Sequence, residues 1–162
     1  MKVRMFAAMV ILLGCSVLAS PQSKDETAVR EVLTRNTMAF ERADMATLDN
    51  IWANDPTVIV IENGHANYGW QDYRDHHLAA EIKEFKNTKY VLTDVKIKID
   101  TKTAWATFKY SIGADVKGRR IEGAGLGTAI LEKRNGQWVI VHWHTSAPRR
   151  AASAAPAAKP AQ

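Results

Sequence analysis

Two imidazoles stand two residues apart in the last strongly apolar run of the chain, Trp138-Val139-Ile140-Val141-His142-Trp143-His144. On a β-strand, residues i and i+2 share a face. Trp138, Ile140, His142 and His144 are therefore expected to point one way, and Val139, Val141 and Trp143 the other. A run this apolar is expected to be covered on both faces, and two histidines there need hydrogen-bond partners, a metal or a ligand. Three readings fit the pair. The rings can be structural, bonded across the sheet. They can serve as a general base and its orienting partner. Or they can present two nitrogens to one metal ion.

Other residues could share that site. His76 and His77 are adjacent on an expected helix, where neighbours diverge by about 100°. With Leu78 and Ile82 facing the core, His76 points nearly away, whereas His77 lies at the core edge alongside Trp70, Arg74 and Glu81. Glu62 ends an expected strand and shares parity with Val58 and Val60; a carboxylate there can act as a base or complete a metal site with two histidines. His65 and Tyr68 fall in what reads as the following loop, where binding residues concentrate. Trp70 and Trp138 can supply apolar wall. Arg119 and Arg120 read as a solvated pair, Asp115 as a turn residue and Asp94 as outward-facing.

The elements that must position these groups follow from pattern. Val29, Val32, Leu33, Met38 and Phe40 keep helical spacing over about Ser23 to Arg42, with Asp25 and Glu26 where the helix dipole favours negative charge. Asp44 can cap a short second helix through Trp52. Thr57 to Glu62 is β-branched and ends at Asn63-Gly64, a strong turn signal. A third helix is expected over Trp70 to Phe85. Four strands follow, Tyr90 to Asp100, Thr103 to Ile112, Arg120 to Glu132 and Gln137 to Ser146, joined by tight turns. That order predicts an α+β domain, its helices packed on one face of a curved antiparallel meander.

The ends of the chain carry different information. Met1-Lys2-Val3-Arg4 followed by the apolar stretch Met5 to Leu18 reads as a secretory signal over residues 1–19, which places the protein in the periplasm or outside the cell. Leu12-Leu13-Gly14-Cys15 also resembles a bacterial lipobox, so no membrane contact is expected unless Cys15 is lipidated. Cys15 is the only cysteine, and no disulfide can form within the mature domain. The formal charge of +5 is carried largely by the ends, through Lys2, Arg4, Arg149, Arg150 and Lys159. The body is near neutral with no basic stripe, which argues against nucleic-acid binding. Residues 150–162, rich in Ala and Pro, read as a disordered tail, leaving 24–149 as the single domain.

This order of elements and these residues resemble the NTF2-like superfamily, in particular its SnoaL-like and DUF4440-type members. The resemblance rests on Gly136-x-Trp138-x-Ile140-x-His142-x-His144-x-Ser146, on Gly123-x-Gly125-x-Gly127-Thr128 and on Gly69-Trp70-x-Asp72-Tyr73. It implies an NTF2-like (cystatin-like) cone of about three N-terminal helices on a bent sheet, a pocket at the open end, and a homodimer. Ketosteroid isomerases of that fold place a tyrosine on the first helix; Met38 and Phe40 stand in this one and no tyrosine does, so that mechanism is not carried over. The resulting expectation is a domain that binds a small, partly apolar molecule. If it is an enzyme, proton-transfer chemistry (isomerisation, dehydration or cyclisation) is expected, with no nucleotide cofactor and no resident metal. His144, His142 and His77 would be catalytic, and Glu62, Tyr68, Trp70 and Trp138 would contact the ligand. The alternatives are a metal-binding protein using His142 and His144, and a non-catalytic binding or dimerisation module.

Overall fold

The computed structural model describes residues 23–148. The expected signal segment and the Ala/Pro-rich tail lie outside the described residues. Helix α1 spans Lys24–Arg42. The Ser23 hydroxyl accepts from the Glu26 backbone N–H at 3.1 Å, and Asp25 and Glu26 occupy the first turn, so an orphan donor and the positive helix end are both satisfied. Helix α2, Met45–Ile51, starts on Asp44, whose carboxylate accepts from Thr47 N–H at 3.0 Å. Strands β1 (Ile59–Glu62) and β2 (His65–Tyr68) form a hairpin. Asn63 and Gly64 take φ of 53° and 79°, the pair of left-handed conformations that a two-residue hairpin requires. Sequence reasoning leaves His65 and Tyr68 in a loop; the turn is tight enough that the chain doubles back at once and they pair with Glu62 and Ile59.

The third helical stretch runs without a break through α3 (Trp70–Tyr73), a π-helical turn (Arg74–Leu78) and α4 (Ala79–Glu84). Strands β3 (Lys86–Asp100), β4 (Thr103–Val116), β5 (Arg119–Arg134) and β6 (Gln137–Ser146) then make the antiparallel meander. The six-stranded sheet has the order β2-β1-β6-β5-β4-β3, with β1 and β6 parallel. Helices and sheet enclose a core in which Val29, Leu33, Leu48, Ile51, Val58, Val60, Trp70, Leu131 and Ile140 are almost wholly buried. A Cβ on Gly127 would overlap the Phe108 ring, and one on Gly125 the Ser146 carbonyl; the glycine repeat lets the strands approach there. Among the described residues no helix is long and apolar enough to cross a membrane.

One irregularity in β6 decides where its side chains point. Ile130 of β5 faces His142, yet the next residue, Leu131, faces Ile140, so Val141 is an extra residue in the ladder. A bulge of this kind shifts side-chain parity by one. Before it, Trp138 and Ile140 face the core, 4% and 0% exposed; after it, Trp143 and Thr145 do, at 2% and 6%. The shared face expected for Trp138, Ile140, His142 and His144 is thereby corrected. Beyond the bulge His142 and His144 turn to the outer face of the sheet, where His142 is half-buried and His144 exposed.

Candidate functional site

Between the open end of the sheet and the helices lies a cavity of about 240 Å³. Phe40 of α1 and Trp52 after α2 wall it from the helical side, Tyr73 and Phe85 from the third helical stretch, and Tyr90, Tyr110 and Trp143 from the sheet. Trp52 stacks on the buried Trp70 with ring centroids 5.0 Å apart, and Trp143 packs on Phe108 at 4.9 Å, so the aromatic walls are themselves backed by aromatic rings. Besides the three tyrosine hydroxyls, polar groups are few: Asn36, Glu62, Asn63, Glu81 and Thr145, with Glu122 on an exposed stretch of β5. The Asn36 amide oxygen accepts from Trp52 Nε1 at 2.8 Å, which leaves its NH₂ as the free donor at the wall.

Glu62 reaches this cavity because it continues the inward parity of Val58 and Val60. Its side chain is 16% exposed. Burial, reinforced by the neighbouring Glu81 charge, pushes its carboxyl up to about 7, against a smaller opposing effect from the Tyr73 hydroxyl, which donates to Oε2 at 3.3 Å. Glu81 is also raised by burial, with His77 pulling the other way. Burial and the Glu62 charge in turn lift the Tyr73 and Tyr90 hydroxyls well above the usual phenol range. Both therefore remain neutral donors near neutral pH.

His77 is held between these carboxylates by a relay whose protons can be assigned. Asn67, buried on β2, donates its NH₂ to Asp72 Oδ2 at 2.9 Å. A carboxylate accepts only, so the amide oxygen of Asn67 must face the other way, where it meets His77 Nδ1 at 3.0 Å. Nδ1 consequently carries a proton. The other nitrogen, Nε2, lies 3.7 Å from Glu62 Oε2 and 3.4 Å from Glu81 Oε1. His77 and Glu81 are one i,i+4 pair on a stretch that includes the π-helical turn, a local form that often accompanies functional sites. The three groups offer ligand-type atoms within 4.8 Å of one another, the one cluster of its kind among the described residues. Such crowding of two acids and one imidazole suits a shared, mobile proton as well as it suits a cation.

The structure brings Glu62 and His77 together, Glu62 on the cavity lining and His77 beside it but off the lining, and disperses the others. His142 and His144 do not line the cavity; burial and the nearby His144 lower the basicity of His142, opposed by its bond to the Ile59 backbone. Neither belongs to a three-ligand cluster among the described residues. Tyr68 sits on β2 at 68% exposure, outside the cavity. Trp70 is buried behind Trp52 and bonds Asp49 through Nε1 at 2.9 Å. Trp138 lies at the start of β6, bonded to Asp25 at the beginning of α1, because it precedes the bulge and packs in the filled part of the cone. Asn67 and Tyr73 are not among the site residues expected from the sequence: Asn67 is an isolated amide with no spacing cue, and Tyr73 enters only through the Gly69-Trp70-x-Asp72-Tyr73 motif.

Family and fold comparisons agree with this architecture. The model for the SnoaL-like domain matches residues 29–150, and the chain belongs to that family; its fold is NTF2-like. An NTF2-like superfamily protein from Salmonella enterica serovar Typhimurium superposes with a TM-score of 0.71 at 20% identity, over 82% of this chain and 95% of that one. A candidate dehydratase of the NTF2-like family from Streptomyces avermitilis gives 0.70 at 19%, over 76% and 96%. A candidate ketosteroid isomerase from Shewanella frigidimarina gives 0.63 at 24%, over 74% and 94%. At these identities the likeness is one of fold. No curated protein matches the chain.

Proposed function

We propose that this SnoaL-like domain binds a small, partly apolar molecule in the cone and moves a proton on it, with Glu62 as the exchanging group and His77 and Glu81 as its proton partners. The observation that carries the reading is a carboxyl group inside an aromatic-walled cavity whose affinity for a proton lies at about 7. A general acid–base group works best when its pKa is near the working pH. Glu62 would take a proton from carbon next to a carbonyl and return it to a neighbouring carbon (isomerisation) or to a departing hydroxyl (dehydration). The Asn36 amide and the neutral Tyr90 and Tyr110 hydroxyls are donors on the same walls that can steady the enolate oxygen. A dehydratase and an isomerase are the activities named, as candidates, for two of the similar structures. The test is proton exchange itself. Small cyclic ketones incubated with the protein in D₂O should gain deuterium beside the carbonyl faster than in buffer, with saturation. Exchange no faster than in buffer across such a panel would overturn the reading.

A homodimer formed through the outer sheet face belongs to the same proposal. Ile59, Trp105 and Leu126 stand out there at 36%, 43% and 61% exposure, apolar side chains that a second copy would cover. Sedimentation equilibrium is expected to return twice the chain mass, and Trp105→Asp to return the single mass. A wild-type chain that stays monomeric at about 100 μM, well above common dimer dissociation constants, would contradict it.

A further inference from the structure

We infer that the molecule taken up by the cone is an organic cation, a small cyclic ammonium compound that also carries the carbonyl group of the proposed reaction. This deepens the proposed function and rests on its claim that the cavity binds a ligand. The lining holds three carboxylates, Glu62, Glu81 and Glu122, and no lysine, arginine or histidine. Seven aromatic residues share the lining, with Trp52, Tyr90 and Trp143 among them.

An anionic ligand would add a further negative charge beside Glu62 and Glu81, with no cation on the lining to receive it. A neutral ligand would use the rings but leave the carboxyl groups with only His77 and Arg120 as charged partners, both off the lining. An ammonium group satisfies both parts of the surface. Its N–H bonds meet carboxylate oxygens, and its charge lies against ring faces, which attract cations. Glu81 is the better anchor, since it already has its other partner in His77 on the same helical stretch. Glu62 then stays available for proton exchange. The groups facing Glu62 are Tyr73, His77 and Glu81 from the helical side and Tyr90 and Tyr110 from the sheet; among them only His77 can bring a positive charge, and its Nε2 already serves two acids.

Benzylamine, benzyl alcohol and benzoate share one ring and differ in charge, which makes them a direct probe. Binding is read from quenching of tryptophan fluorescence and from carbon–proton NMR shifts of residues on the cavity wall. Benzylamine is expected to bind at least about tenfold more tightly than benzyl alcohol, as a charge-assisted bond warrants, and benzoate not measurably. Glu81→Gln should remove most of the preference for benzylamine over benzyl alcohol. Equal binding of amine and alcohol, or stronger binding of benzoate, overturns the inference and leaves the binding cavity standing. Binding of none of the three overturns both. If Glu81→Gln fails to fold, the wild-type order of affinities by itself tests the charge preference.

Discussion

Glu62→Gln is expected to slow catalysed proton exchange by about 10²–10⁴-fold, the usual contribution of a positioned acid–base group, and in the same protein to raise the melting temperature above neutral pH. Both effects have one cause. In the folded domain the Glu62 carboxyl holds its proton up to about 7, whereas its ordinary value is 4.5. The folded state therefore binds a proton that the unfolded chain has already released. Stability contributed by this group is full below about pH 4.5 and declines as pH rises through about 7, by about 3 kcal/mol in all. Glutamine keeps the shape and carries no charge to bury. At pH of about 8 the variant should melt higher by roughly 10 °C, given the usual conversion for a domain of this size; near pH 4.5 the two proteins should melt together. Equal melting temperatures at both pH values would mean that the carboxylate is not buried at a cost, and the argument for its reactivity would fall with it.

Trp143→Ala should cost about 3–5 kcal/mol of folding stability, the range for removing a buried indole. Trp143 is 2% exposed, packs on Phe108 with ring centroids 4.9 Å apart and on Trp52 at 6.4 Å, and forms cavity wall as well as core. The contrast is Trp105, an indole of equal size that is 43% exposed on the outer face; its replacement by alanine should change monomer stability by less than about 1 kcal/mol. Urea unfolding of the three proteins checks the pair. A loss below about 1 kcal/mol for Trp143→Ala would show that β6 does not turn this residue inward.

That last comparison also marks where the sequence was readable and where it was not. Helix α1 could be placed from the spacing of Val29, Leu33 and Phe40, and the first turn from Asn63-Gly64, because these signals are local. Glu62 could be assigned to the inner face because β1 is short and regular, so alternation from Val58 and Val60 carries through unbroken. In β6 the same alternation fails at Val141. A one-residue bulge arises from how two strands pair, and nothing in Trp138 to His144 marks it; His142 and Trp143 consequently exchange faces. His77 could be singled out from the helical angle relative to Leu78 and Ile82, although the π-helical turn is not visible in composition. Asn67 and Tyr73 join the site through contacts 10 and 11 residues distant along the chain, and such pairings follow from the hairpin and helix docking rather than from any motif.

The most direct test of the account is the titration of Glu62 itself, followed by NMR of the carboxyl carbons in protein labelled at glutamate. One resonance is predicted to titrate near 7 and to be missing from the Glu62→Gln protein. If every glutamate carboxyl titrates below about pH 5, as exposed groups do, Glu62 is an ordinary solvated carboxylate and the proposed centre does not exist.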